Sequence, residues 1–222
     1  MRRRAFPLAA VCILSAVGCN VAWNATMTPT RTGSGVVASE ERTIGDFDQI
    51  VLQGAMNIEA ATGVEPKLTV EADDNLMEII TTEVQGTKLI VSTRENYRSS
   101  RGVTVRLTAP AVRSLVLNGS GNISATDVSG PDFEGTINGS GNIAATGSVS
   151  DLRATIAGSG NLDLSRLEAK NAAVCIAGSG SVNVHATDTL DATIAGSGDI
   201  VYHGQPKVKQ TIRGSGSIRP AE

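Results

Sequence analysis

The chain has 222 residues, a formal charge of −3 and a pI near 5.5, with 41% hydrophobic residues, 3% aromatic residues and 24 glycines. Six aromatic side chains are too few for a glycan-stacking lectin cleft or a nucleobase-stacking surface, and the acidic balance argues against a nucleic-acid partner. There is enough apolar material for one sizeable core.

The N-terminus reads as a targeting segment. Met1-Arg2-Arg3-Arg4 is cationic, and Ala5 to Ala16 is an apolar stretch of signal-peptide length, too short to span a bilayer. Ser15-Ala16-Val17-Gly18-Cys19 resembles a bacterial lipoprotein lipobox, with Ala16 where leucine is usual. The resemblance implies cleavage after residue 18 and a lipid on Cys19, which would attach the mature chain to a membrane. An ordinary secretory signal is the alternative, and Arg3-Arg4-Ala5-Phe6 also resembles part of a twin-arginine signal. Either export route leaves the cytoplasm, and losing three arginines takes the charge from −3 to −6. Asn20, after the cysteine, resembles outer-membrane sorting in some bacteria, so the expected place is the envelope, at the periplasmic or cell-surface side. Cys12 leaves with the signal and Cys19 takes lipid, so Cys175 is expected as an isolated thiol.

Residues 19–43 are rich in Thr, Ser, Ala, Gly and Pro, with Gly33-Ser34-Gly35 among them, and read as a flexible tether. Beyond it, Ile50 to Ile58 looks like a degenerate first copy of the glycine corner that recurs from residue 117, with Ala55-Met56 in place of Ser-Gly, and Lys67 to Glu71, Leu89 to Thr93 and Val103 to Thr108 read as strands. Asp73-Asp74-Asn75 opens one short helix. This less repetitive stretch suits the closed end of a repeat array.

From residue 117 a repeat takes over. Leu117-Asn118-Gly119-Ser120-Gly121-Asn122-Ile123 recurs with corner glycines at Gly139 and Gly141, Gly158 and Gly160, Gly178 and Gly180, Gly196 and Gly198, and Gly214 and Gly216. Successive first glycines are 20, 19, 20, 18 and 18 residues apart. Before each corner, apolar and polar residues alternate as in Leu152-Arg153-Ala154-Thr155-Ile156, and a second short strand follows, as in Asn161-Leu162-Asp163-Leu164. Strands this short and this alike, turned every 18–20 residues, predict an all-β parallel β-helix whose coils stack about 4.8 Å apart. Leu117, Ile137, Ile156, Ile176, Ile194 and Ile212 should form an inner column, and Thr136, Thr155, Thr193 and Thr211 an outer one, with Val116 and Cys175 in its gaps.

Phe47-Asp48-Gln49-Ile50 with Gly54, Asp74-Asn75-Leu76, Lys88-Leu89, Val105-Arg106-Leu107 and the run of Gly-Ser-Gly corners resemble the head GIN domain family over about residues 44–218. These bacterial envelope proteins are described as autotransporter-adhesin heads. The resemblance implies a right-handed β-helix for residues 44–222, in an exported or lipid-anchored protein, with no catalytic residues to carry over.

Catalytic and metal chemistry find little support in the residues. No corner leads into Lys-Ser/Thr and a helix, as a phosphate loop requires. Calcium-binding solenoids place an aspartate at each corner, whereas here Asn122, Asn142, Asn161, Ser181, Asp199 and Ser217 supply one carboxylate. His185 and His203 stand one coil apart without a fixed partner, better read as polar ladder members than zinc ligands. Ice binding would need more than one threonine rank. No catalytic residue, metal or cofactor is expected. The reading is an envelope lipoprotein that presents a β-solenoid for adhesion, binding or structure, with a surface glycan or envelope protein as partner. The alternative is a β-helix lyase or hydrolase acting on carbohydrate, which a carboxylate cluster bridging successive coils would favour.

Overall fold

A computed structural model describes residues 30–221. The signal segment, Cys19 and the tether up to residue 29 lie outside the described residues. In chain order the strands are β1 (Thr30–Thr32), β2 (Val37–Arg42), β3 (Gln49–Gly54), β4 (Asn57–Thr62), β5 (Lys67–Asp73), β6 (Ile80–Gln85), β7 (Lys88–Thr93), β8 (Asn96–Arg98) and β9 (Thr104–Ala109). They continue as β10 (Ser114–Gly119), β11 (Asn122–Gly139), β12 (Asn142–Gly158), β13 (Asn161–Gly178), β14 (Ser181–Gly196), β15 (Asp199–His203), β16 (Lys207–Gly214) and β17 (Ser217–Pro220). The short helix is a 3-10 turn, Asp74–Ile79, whose Leu76 and Ile79 are buried.

The chain is an all-β solenoid of about five turns. Each of β11 to β14 runs nearly a whole coil and pairs in parallel with the next, corner on corner: Gly119 faces Gly139, then Gly158, Gly178 and Gly196. Differences in coil length are absorbed away from these corners, at register shifts such as Ala125/Val128, where Asp127 has a φ of 60°. Two ladders result. One runs from β17 through β15, the leading halves of β14 to β11, β4, β9 and β5 to β2; the other runs from β16 through the trailing halves, β10, β3 and β7 to β6.

The inner column forms as the alternation demands: Leu117, Ile137, Ile156, Ile176 and Ile194 are wholly buried. Ile212 is the exception, 41% exposed, because among the described residues no coil covers β16. Thr136, Thr155, Cys175 and Thr193 share the other face and are half-buried. Cys175 is disulfide-bonded, against the isolated thiol expected from the cysteine count; if Cys12 leaves with the signal and Cys19 takes lipid, the mature chain keeps no second thiol for that bond.

The tether expectation fails for residues 30–42. β1 pairs in parallel with β8, and β2 pairs antiparallel with β5 over its full length. Glycine serves close approach here, not flexibility: a Cβ on Gly33 would stand 1.9 Å from Asp73 Oδ2, and Gly35 N donates to Asp73 Oδ1 at 3.1 Å. Gly33 N donates to Arg98 O, Ser34 N to Asn75 Oδ1 and Asp74 N to Val36 O, so the segment is wrapped onto the solenoid's end. Asp73 is 1% exposed, and Asp73→Ala should cost about 1 kcal/mol in urea denaturation by removing its hydrogen bond with the exposed Gly35 amide. An unchanged midpoint, with early proteolysis at Arg31 in both proteins, would return this segment to a tether.

Candidate functional site: a groove along the coils

The polar face is built by position relative to the corners. Seven residues before each first glycine stand Asp132, Asp151, Asn171, Thr189 and Lys207, and these five pair in register from β11 to β16. Five residues before each stand Glu134, Arg153, Ala173, Asp191 and Lys209, likewise in register. Both columns point outward, while Phe133, Leu152, Ala172 and Leu190 between them are buried. Together they line a groove of about 700 Å³ that runs along the stack.

Charge changes along this groove. Asp132, Asp151 and Glu134 sit at one end and Lys207 and Lys209 at the other. Neighbouring rungs satisfy each other: Asn171 Nδ2 donates to Asp151 Oδ1 at 3.1 Å, Thr189 Oγ1 to Asn171 Oδ1 at 2.7 Å, and Lys209 Nζ pairs with Asp191 Oδ2 at 2.9 Å. Arg113 Nη1 lies 3.8 Å from Asp132 Oδ1. Chemically this is a row of donors and acceptors repeating at rung spacing, suited to an extended polar polymer. Asp132 and Asp151 also place two carboxylates on successive coils, the feature that a carbohydrate-cleaving β-helix would need.

Residues singled out from sequence fall elsewhere. The corner glycines form a structural edge: Asn57, Asn122, Asn142 and Asn161 stack beside them, each of the last three donating its Nδ2 to the Oδ1 of the asparagine one coil before at 2.8–2.9 Å, and Ser217 Oγ donates to Asp199 Oδ1 at 2.6 Å. That edge spends its polar groups on itself. His185 and His203 are in register, with ring centroids 6.3 Å apart, and Glu168 is in register with His185. Among the described residues no three His, Cys, Asp or Glu side chains are placed to hold a metal ion. On the opposite ladder Arg106 bridges Glu71 at 2.6 Å and Glu59 at 2.9 Å, and those hydrogen bonds raise its pKa, Glu71 foremost. Burial raises the pKa of Tyr97, whose hydroxyl donates to Ala55 O at 3.3 Å. No helix among the described residues is long and apolar enough to cross a membrane.

The groove was within reach of the sequence, since aligning the copies on their first glycines puts Asp132 over Asp151 and Glu134 over Arg153. The concavity there was not, because it depends on how the chain bends between ladders.

Comparisons agree with this architecture. A structure described as a "putative adhesin" from Bacteroides fragilis is 19% identical, with a TM-score of 0.68 over 86% of this chain and 99% of that one. A "putative lipid binding protein" from Parabacteroides distasonis is 25% identical, with a TM-score of 0.61 over 87% and 100%. A "putative adhesin" from Parabacteroides merdae is 21% identical, with a TM-score of 0.60 over 87% and 99%. No curated protein matches the chain. The family described as "putative auto-transporter adhesin, head GIN domain" matches residues 46–206, which span the first five of the six Gly-Ser-Gly corners and the strands leading into them, and the chain belongs to that family.

Proposed function

We propose that this chain is a non-catalytic display module of the bacterial envelope, held at a membrane by lipid on Cys19, which binds an extended surface glycan along its groove. The observation that carries this reading is the groove itself: two outward columns, in register over five rungs, expose alternating carboxylate, guanidinium, amide and ammonium groups. Many weak contacts at rung spacing suit a repeating polymer better than a compact ligand. Solved relatives described as adhesins, and the lipobox-like Ser15 to Cys19, support placement at the cell surface.

Titration with purified envelope polysaccharide tests it. Arg153→Ala should weaken binding by about threefold to tenfold, as should Asn171→Ala, while Ser124→Ala on the opposite ladder should leave it unchanged. Equal binding by all of them would remove the groove from the reading. Detergent partitioning tests the anchor: the mature chain should enter the detergent phase and Cys19→Ser should release it. A protein partner in place of the glycan would show as groove-dependent capture that free polysaccharide does not compete.

Asp132 and Asp151 favour one second reading, cleavage of the bound glycan. Release of new chain ends that Asp151→Asn abolishes would establish it. Intact polysaccharide after prolonged incubation supports display alone.

A further inference from the structure

Each ladder of the solenoid stops at an unpaired edge. At one end the outermost strands are β16 and β17, which pair only with β14 and β15 among the described residues; at the other they are β2 and β6, which pair only with β5 and β7. Such edges carry rows of N–H and C=O groups that another strand can complete.

Charge separates the two ends. β16 and β17 bear Lys207, Lys209, Arg213 and Arg219, all exposed, and no carboxylate. β2 and β6 bear exposed Glu40, Glu41 and Glu83, of which Glu41 is paired with the exposed Lys67 of β5 at 3.3 Å. Arg42, the one cation on those two strands, is folded inward with its side chain 16% exposed, bonded to the Glu40 carboxylate and to the carbonyls of Ile80 and Met77. Apolar exposure follows the same division. Apart from Val64, the large hydrophobics most exposed among the described residues are Val36 and Val37 at the acidic end and Val208 and Ile212 at the cationic end.

The geometry points to end-on association of a second copy, head to tail, with β16 and β17 of one chain against β6 and β2 of the next. Translation along the solenoid axis gives β17 a parallel partner, because β2 runs with the coils, and gives β16 an antiparallel one, because β6 runs against them. Two cationic ends repel, as do two acidic ends, so the edge charges that guard against indiscriminate pairing also select the unlike end. The two surfaces differ, so the contact is heterologous: it does not close on itself, and it extends into a linear series. Such a series would continue the groove's rung pattern from one molecule to the next.

Sedimentation velocity of the full chain carrying Cys19→Ser, at rising concentration, tests this. At low salt the chain should form species beyond the dimer, and about 1 M salt, where the Debye length is about 3 Å, should weaken association by about tenfold or more. Arg213→Glu with Arg219→Glu should leave the chain monomeric, and so should Glu41→Lys with Glu83→Lys. A mixture of the two double variants should associate again, because each now supplies the end that the other lacks. Circular dichroism melts check that both fold; if either does not, Ile212→Gln and Val37→Gln, both at exposed positions, must reduce association instead. A monomer at every concentration, a series that stops at the dimer, or association that survives both reversals would overturn the inference. So would a monomer that binds phosphatidylglycerol vesicles through Arg213 and Arg219, which would make the cationic end a lipid-facing surface.

Discussion

Gly178→Ala is expected to destabilise the protein by about 4 kcal/mol or more in urea denaturation, a loss large enough to unfold a domain of ordinary stability. Two effects add. Gly178 has a φ of 140°, a conformation that costs a residue with a Cβ about 1–3 kcal/mol. In addition, its new Cβ would stand 2.0 Å from the carbonyl oxygen of Gly158 in the coil before it, and that oxygen accepts the Ser179 amide at 2.9 Å. The clash therefore cannot be relieved by a side-chain turn; the two coils must separate, and the corner hydrogen bond stretches with them. Gly130→Ala isolates the first effect, since Gly130 has a φ of 150° and nothing within 4 Å of its Cβ site. It should cost only about 1–3 kcal/mol. Similar losses in the two variants would show that backbone strain alone, and not contact between coils, fixes glycine at the corners.

Ile176→Asp should be comparably severe, and Ile212→Asp mild, although both positions belong to one sequence column. Ile176 is wholly buried between Ile156 and Ile194, so an aspartate there leaves a carboxylate with no partner in an apolar stack, at a cost of several kcal/mol. Ile212 occupies the last rung and is 41% exposed, which lets a carboxylate reach water at a loss of about 1 kcal/mol or less. Parallel thermal melts check the contrast. Equal losses would mean that Ile212 is covered in solution, which is the outcome that end-on association would produce at high concentration and high dilution would remove.

What the sequence by itself determined was the repeat and everything that follows from stacking like on like. Once glycines recur every 18–20 residues between alternating strands, each coil must place its isoleucine over the last isoleucine and its asparagine over the last asparagine. The buried inner column, the asparagine ladder from Asn122 to Asn161 and the meeting of His185 with His203 were legible for that reason. Tertiary structure decided what local chemistry leaves open. Gly33-Ser34-Gly35 has the composition of a linker, yet it is held by Asp73, some forty positions away, and no local pattern announces a partner at that distance. The second glycine of each corner, such as Gly180, is required by the 2.2 Å approach of a Cβ to Gly160 O and not by a positive φ, a distinction that exists only between coils. The groove and the oppositely charged ends likewise arise because stacking brings single residues from five coils into one row and leaves particular strands outermost; charge written evenly along a chain becomes segregated only when the order of stacking is known.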